Sequence, residues 1–331
     1  MSIDPSALLA WFRAHRRSMP WREQVSPYRT LVSELMLQQT RVETVIPYFE
    51  RFMAAFPTVE ALATAPESRV LELWAGLGYY RRARNLQRAA QAVAAAGGFP
   101  TTVEGLLTLP GVGPYTAGAI GSIAMGLDAP LVDGNVERVL ARVYAMEDAG
   151  PALTKRAWVA AGEGVRVAVA TEPGSAGAYN EALMELGATV CVPVAPACGA
   201  CPIARGCAGK ERTAELPRKV AKKTSPTVHA VALLVEVDGR LWLGKRPPGL
   251  LGGLWEPPIT ANFVGGERVA DVLHVFTHRR LVVEVRRVGE VEDMPMPVLT
   301  TGAYVEEAWV PRGELEFRAM SKLAWKIVGA G

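Results

Sequence analysis

No stretch of this 331-residue chain is apolar for long enough to span a bilayer, which argues against a membrane-spanning helical protein. The opening residues, MSIDPSALLAWFRAHRR, lack the basic-then-apolar order of a secretion signal, so a cytoplasmic protein is expected. Cysteine is missing everywhere except one short window, where all four fall at Cys191, Cys198, Cys201 and Cys207. A disulfide framework would spread them along the chain. Neither sign of charge dominates: 36 Lys and Arg against 33 Asp and Glu leave a formal +3. That mild excess is compatible with a polyanionic partner but does not demand one. Repeats and low-complexity tracts are also absent. Half of the residues are hydrophobic, so the chain is globular and long enough for two domains.

Strand-like alternation is absent before about residue 207. Apolar positions there recur at three and four, and Pro or Gly punctuates the segments. Helices are predicted over 5–15, 27–39, 42–56, 67–75, 80–96, 103–107, 115–125, 135–145, 154–169 and 177–190. Residues 209–226, GKERTAELPRKVAKKTSP, are polar, basic and aperiodic, and read as an interdomain linker. Beyond it the pattern becomes β-rich. Two runs, 228–237 and 240–244, flank Asp238-Gly239, a hairpin signal. A further β-rich run covers 274–288, and 314–328 reads as an amphipathic helix. The predicted organisation is therefore a helical domain over 1–208, a linker over 209–226, and a small α/β domain over 227–331.

Four groups of residues carry chemistry. Gly111 and Gly113, in L-P-G-V-G-x-Y-T-A, sit in a short turn between two helices. Glycines there permit positive φ and let backbone N–H groups approach an anion ahead of a helix. A dinucleotide loop is a weak alternative, because no β-branched strand precedes the turn and the G-x-G-x-x-G spacing fails. Asp133, before a helical run, reads first as an N-cap. Glu34 shares a helical stripe with Thr30 and Gln38 and is flanked by Leu31 and Leu37. It is either a surface acid or a carboxyl whose apolar neighbours raise its pKa, as a general acid near neutral pH requires. The cysteines, spaced C-x6-C-x2-C-x5-C, indicate a metal centre. Zinc is one reading, but only one C-x2-C knuckle is present, which favours an iron–sulfur cluster. The run 76–85, GLGYYRRARN, combines aromatics with arginines, as either a solvated basic face or a surface for phosphates and bases.

Together these motifs resemble the helix-hairpin-helix DNA glycosylases and, within them, the adenine glycosylases of the MutY type. The resemblance rests on P-W-R at 20–22, S-E-L-M-L-Q-Q-T at 33–40, G-L-G-Y-Y-x-R-A-R-N at 76–85, the 109–119 hairpin, D-G-N-V-x-R-V at 133–139, N-E-A-L-M-E-L-G at 180–187, and the cysteine loop. It implies a multidomain α and α+β fold: an all-helical glycosylase domain with a 4Fe-4S loop, and a small Nudix-like C-terminal domain. It implies excision of adenine mispaired with 8-oxoguanine in double-stranded DNA by a monomeric protein, cytoplasmic and nucleoid-associated when bound. Glu34 would protonate the base and Asp133 would stabilise the sugar cation, with Tyr115 and Asn135 positioning them. Trp21, Arg22 and Glu181 would line the adenine pocket. Gln39, Thr40, Leu77 and Tyr79 would fill the duplex around 8-oxoguanine, and Gly111 and Gly113 would touch the backbone. Cys191, Cys198, Cys201 and Cys207 would hold a [4Fe-4S] cluster.

Two further absences refine the expectation. Lyase-competent relatives carry a lysine where this chain has Tyr115, so a Schiff-base nucleophile is missing and an abasic site is the predicted product. Residues 227–331 contain no R-E-x-x-E-E metal motif, so pyrophosphate hydrolysis is not expected. Family members often show Phe-Ser-His in a loop that reads 8-oxoguanine; this chain has Phe276, Thr277 and His278. The alternatives are an endonuclease III-like pyrimidine glycosylase and lyase, or a catalytically silent iron–sulfur protein that binds damaged DNA.

Overall fold

The computed structural model describes residues 3–220, 225–276, 279–289, 295–300 and 302–330. In chain order its helices are α1 (Pro5–His15), α2 (Pro20–Glu23), α3 (Pro27–Leu37), α4 (Val42–Ala55), α5 (Val59–Thr64), α6 (Glu67–Trp74), α7 (Arg81–Ala95), α8 (Val103–Leu106), α9 (Pro114–Ala119), α10 (Gly134–Val143), α11 (Pro151–Thr171) and α12 (Ala176–Thr189). The chain divides into two compact units. One is Met1–Ala65 with Asn85–Ala221, and the other is Pro66–Arg84 with Lys222–Gly331. Among the described residues no helix is long and apolar enough to cross a membrane.

Local signals explain most helix starts. Asp4 accepts from the Ser6 N–H at 3.0 Å, with Pro5 opening α1. Ser26 accepts from the Arg29 N–H at 3.2 Å, with Pro27 opening α3. Such a cap contributes about 1 kcal/mol, and proline suits the first turn because its missing N–H has no partner there anyway. The same logic moves the start of α11 to Pro151, ahead of the expected Thr154, after Gly150 at φ 57°. The helices α2 and α5 are only four and six residues long, too short to leave a periodic trace.

The first unit packs α1, α10, α11 and α12 around Leu8, Leu9, Phe12, Val139, Leu140, Leu183 and Leu186. Glycines bring α12 very close to its neighbours. A Cβ on Gly177 would lie 2.5 Å from the Ser122 carbonyl oxygen, and one on Gly187 would lie 2.7 Å from Asn135 Cβ. Between these two contacts α12 carries Glu181 and Glu185, one turn apart and so on one stripe. The helix expected over 115–125 is α only to Ala119; Ile120–Ala124 continues as a π turn. There the Leu127 N–H donates to the Gly121 carbonyl at 2.8 Å. The early part of the expected linker is not a solvated connector. The Gly209 N–H donates to the Arg142 carbonyl at 2.8 Å, Arg142 Nε donates to the Leu216 carbonyl at 3.0 Å, and Leu216 is buried. Residues 221–224 of that segment lie outside the described ones.

The second unit is built on a mixed sheet. Strands β1 (Thr227–Val237) and β2 (Arg240–Lys245) form the expected hairpin, with Asp238 and Gly239 both at positive φ, 49° and 71°. That is the geometry of a type I′ turn. Strands β3 (Trp255–Glu256), β4 (Ile259–Thr260), β5 (Glu267–Phe276), β6 (Arg279–Val288) and β7 (Glu306–Pro311) complete it. The order is β3-β2-β1-β6-β5, with β4 on β1 and β7 on β2. β1 and β6 run parallel and β5 and β6 antiparallel. Helix α13 (Lys322–Val328) packs Leu323, Ala324 and Ile327 on Leu241, Leu243, Val283 and Val285. The single helix expected over 314–328 is replaced by a 3-10 turn at Arg312–Phe317, a break, and α13. The break has a use: the Trp255 N–H donates to the Ala319 carbonyl at 2.9 Å, and Met320 bridges to Trp255, so this backbone serves the sheet.

The close approach of α12 is open to direct measurement. Gly187→Ala forces a methyl against Asn135 and is expected to lower unfolding stability in urea by about 1–3 kcal/mol. Gly134→Ala, where a Cβ meets nothing within 4 Å, is expected to change it by less than about 1 kcal/mol.

Candidate active site

A cleft of about 610 Å³ opens in the first unit. Residues of α2, α3, α9, the π turn, the start of α10 and α12 line it. Helix α3 is buried from Thr30 to Met36, and Glu34 on it is only 6% exposed. Burial pushes the Glu34 carboxyl up to about 7, opposed by a hydrogen bond from Tyr115. The charges of Asp133 and Glu181 push it further up, and Arg22 pulls it down. The Tyr115 hydroxyl donates to Glu34 Oε2 at 2.6 Å and lies 3.5 Å from Met184 Sδ. Burial, followed by the nearby Glu34 and Asp133 carboxyls, raises the Tyr115 phenol well above its ordinary value.

Asp133 is an N-cap and also lines the cleft. Its Oδ1 accepts from the Val136 N–H at 2.7 Å, and its Oδ2 accepts from Asn135 Nδ2 at 3.1 Å. Burial raises its pKa, while these hydrogen bonds and Arg138 hold it down. Asn135 is fixed in turn, its Oδ1 accepting from Arg138 Nη2 at 2.9 Å. Two carboxyls thus share one cleft in different surroundings, Glu34 deeply buried with the Tyr115 hydroxyl as its donor and Asp133 at a helix N-terminus with backbone and side-chain donors. Such a division suits one acid and one anion.

The opposite wall is ionic. Arg22 Nε donates to Glu181 Oε1 at 2.8 Å, and Arg22 Nη1 and Nη2 each donate to Glu185 Oε2 at 3.1 Å. Trp21 lies edge-on to Phe49 at 5.4 Å and lines the cleft, as do Gln39, at φ 57°, and Thr40. Ile123, Met184, Glu185 and Arg17 also line it and were not anticipated. Glu185 had a signal, standing four residues after Glu181; Arg17 had none. Gly111 has φ 78°, and a Cβ on it would meet Asn85 at 2.6 Å, so this turn requires glycine. Gly113 precedes α9 in extended backbone. Neither is a wall residue of the cleft.

Other anticipated residues lie in the second unit. Leu77 is buried, whereas Tyr79, at φ 50°, is 53% exposed, with the Arg82 guanidinium 5.2 Å from its ring. Phe276 ends β5 and packs on His274, ring centroids 4.6 Å apart. Thr277 and His278 lie outside the described residues.

Back in the first unit, Cys191, Cys198, Cys201 and Cys207 all line one cavity, with Val139, Val143, Leu186, Val190 and Ile203 around them. None is in a disulfide. Burial raises the thiols of Cys201 and Cys207, and the neighbouring cysteines raise them further. Four cysteines lining one cavity fit a cationic group, which would favour their thiolates over the thiols that burial favours. Among the described residues, no three Cys, His, Asp or Glu side chains are gathered closely enough for a single metal ion. Arg142, buried and unanticipated, donates to the carbonyls of Cys191, Val192, Pro193, Thr213 and Leu216, and its Nη1 lies 3.4 Å from Cys191 Sγ.

The model of the HhH-GPD superfamily base excision DNA repair proteins matches residues 32–160. A thermostable thymine-DNA glycosylase superposes with a TM-score of 0.54 at 28% identity, over 62% of this chain and 94% of its own. A non-covalent endonuclease III–DNA complex gives 0.51 at 20% identity, over 62% and 93%, a likeness of fold. Relatives in sequence narrow the class. The adenine DNA glycosylase of Homo sapiens is 32% identical over 97% of this chain and 72% of its own length. That of Mycolicibacterium smegmatis is 43% identical over 61% and 68%. That of Arabidopsis thaliana is 35% identical over 87% of this chain, which spans 58% of that longer protein. The chain belongs to the adenine DNA glycosylase family.

The buried acid has a thermodynamic signature. A carboxyl whose folded pKa is raised makes the native state bind the extra proton, so its effect on stability turns unfavourable as pH rises from about 4.5 to about 7. Glu34→Gln is therefore expected to leave stability little changed near pH 4.5. It should stabilise by about 2–3 kcal/mol above pH 7 in urea denaturation run as a pH series.

Proposed function

We propose that this protein excises adenine mispaired with 8-oxoguanine in double-stranded DNA, leaving an abasic site. The observation that carries the reading is Glu34, buried, raised to about 7 and bonded to the Tyr115 hydroxyl, in one cleft with Asp133. The glycosidic bond is unreachable in a stacked duplex, so the adenosine must first be flipped into the cleft. Trp21, Arg22 and Glu181 line the space it enters. Protonated Glu34 gives its proton to adenine N7, the C1′–N9 bond breaks, and its electron pair leaves with the base. Ionised Asp133 stabilises the positive charge that develops on the sugar, the logic of glycosidic cleavage by paired carboxyls. Water then bonds to C1′, and its released proton is taken up by a carboxylate of the cleft. Asn135 and Tyr115 hold the two acids in place.

Tyr115 stands where a lyase would need an amine, which supports hydrolysis without strand cleavage. The hairpin of Gly111 and Gly113 takes a backbone phosphate. Gln39, Thr40, Leu77 and Tyr79 occupy the duplex around the lesion, with exposed Tyr79 as the side chain that inserts and buried Leu77 as its support. Residues 227–331 form a Nudix-like domain in which Phe276, Thr277 and His278 read 8-oxoguanine. Cys191, Cys198, Cys201 and Cys207 would hold a [4Fe-4S] cluster, which would supply a covalent tie across a loop without long regular structure. Arg142 supports that loop through its carbonyls. The protein works as a cytoplasmic monomer on the chromosome.

The purified protein should release adenine from a duplex with A opposite 8-oxoguanine, with strand breaks appearing after alkali. Equal action on oxidised pyrimidines, or strong β-elimination, would overturn the reading. Glu34→Gln should lower single-turnover excision by at least about a hundredfold while DNA binding persists. The cluster is tested separately: the protein should show a broad visible absorbance band and bound iron, both lost in Cys198→Ser, whereas a colourless zinc protein would refute it.

A further inference from the structure

Glu185 has no place in the mechanism above, yet its side chain is only 1% exposed and it meets two arginines. Its Oε1 accepts from Arg17 Nε at 2.6 Å and from the Arg17 N–H at 3.2 Å. Its Oε2 accepts from both terminal nitrogens of Arg22 and from Arg17 Nη2 at 3.3 Å. Burial works against its charge, but the hydrogen bond from Arg17 and the charges of Arg22 and Arg17 hold the carboxyl below its ordinary value. With both Nη atoms taken, Arg22 offers Glu181 only Nε, and its Nη1 also donates to the Arg17 carbonyl at 3.0 Å. The guanidinium is thus locked on every side, with a further contact over the Phe12 ring at 5.5 Å.

We infer that Glu185 is a positioning residue: shared between Arg17 and Arg22, it holds the Arg22 guanidinium on Glu181 and away from Glu34. The physical reason is the fork of arginine, which fits a carboxylate with two donors and is fixed in place by it. Without Glu185, both terminal nitrogens of Arg22 lose their carboxylate in a cleft that Glu34 also lines, and an arginine turned toward Glu34 would strip the proton that the proposed chemistry needs. Arg17, with a side chain 39% exposed, balances Glu185 from the solvent side, so the wall holds two acids and two bases. The groups that face Glu34 are Tyr115 from α9, Asp133 ahead of α10, Glu181 from α12 and Arg22 from α2, with Arg138 acting on Asp133. Of these, only Arg22 brings a cation onto Glu34 among its principal influences. Control of Arg22 is therefore control of the acid.

This inference rests on reading Glu34 as the proton donor, and its test is kept separate from that reading. The Glu34 carboxyl is titrated by ¹³C NMR in full-length protein carrying δ-¹³C glutamate. The pH dependence of single-turnover adenine excision is measured alongside. Glu185→Gln leaves Arg22 with surplus positive charge and should shift the Glu34 midpoint, and the alkaline limb of excision, down by about half a pH unit or more. Arg17→Gln removes the cation on the other side of Glu185 and should move both up. Glu185→Asp should restore most of the wild-type profile. A merely structural role would loosen the wall, admit water and draw the midpoint down in both variants, so a downward or absent shift in Arg17→Gln overturns the inference. Arg17→Gln keeps the Arg22–Glu185 pair and decides the matter even if Glu185→Gln does not fold. Opposite shifts in a protein that excises no adenine would refute the activity and still support the role of Glu185.

Discussion

The constraint on which the rest of this structure depends is the burial of a carboxyl without a cation bonded to it. Glu34 sits on a helix buried along most of its length, and its hydrogen-bond partner is the neutral Tyr115 hydroxyl. A buried carboxyl can either gain a cation and ionise or keep its proton. The guanidinium whose charge acts on it, Arg22, is committed to Glu181 and Glu185. The carboxyl is therefore pushed up to about 7, far above its ordinary range. Asp133 is also raised by burial, but a backbone N–H, an amide and a helix N-terminus oppose that rise and favour its charged form.

Holding two carboxyls in different states requires rigid walls, and the helices supply them by close approach. Gly177 and Gly187 let α12 lie directly on the π turn and on Asn135, so the ionic wall and the Asp133 cap cannot shift independently. π turns often occur where a helix is adjusted to a site, and here the turn brings Ile123 to the cleft. The cysteine loop is joined to the same framework through Arg142 of α10. Ala208 and Gly209 donate to the carbonyls of Val143 and Arg142. The helix capped by Asp133 at one end therefore carries the cysteine segment at the other.

Much of this could be read in advance, and particular residues show why the remainder could not. Helix α1 matches its predicted bounds, because Asp4 with Pro5 starts it by a local hydrogen bond. The Asp238-Gly239 hairpin is equally local, since the turn requires positive φ at both residues. The helix over 115–125 was placed correctly but not its change to π geometry, which involves contacts with Leu127 and with Gly177, far along the chain. The break at 318–321 was invisible because the partner of that backbone is Trp255, on another element. In the cleft, the stripe of Glu34 and the turn of Asp133 stood out from their neighbours in sequence. Arg17 did not, because a lone arginine near a helix end looks like any surface charge until Glu185 is found beside it.

The sequence by itself determined where α1, α3 and the Asp238-Gly239 hairpin begin, the change from helical to β-rich character near the linker, and which residue types were available for chemistry. Each of these depends on interactions within a few residues, through caps, periodicity and turn geometry. Only the tertiary structure decided which acid is buried and raised to about 7, which arginine is locked and by what, and that the four cysteines line one cavity. Those outcomes depend on dielectric and charge, and so on groups 81 residues apart, as for Glu34 and Tyr115, or 168 apart, as for Arg17 and Glu185. Neither quantity is a property of any local stretch of chain.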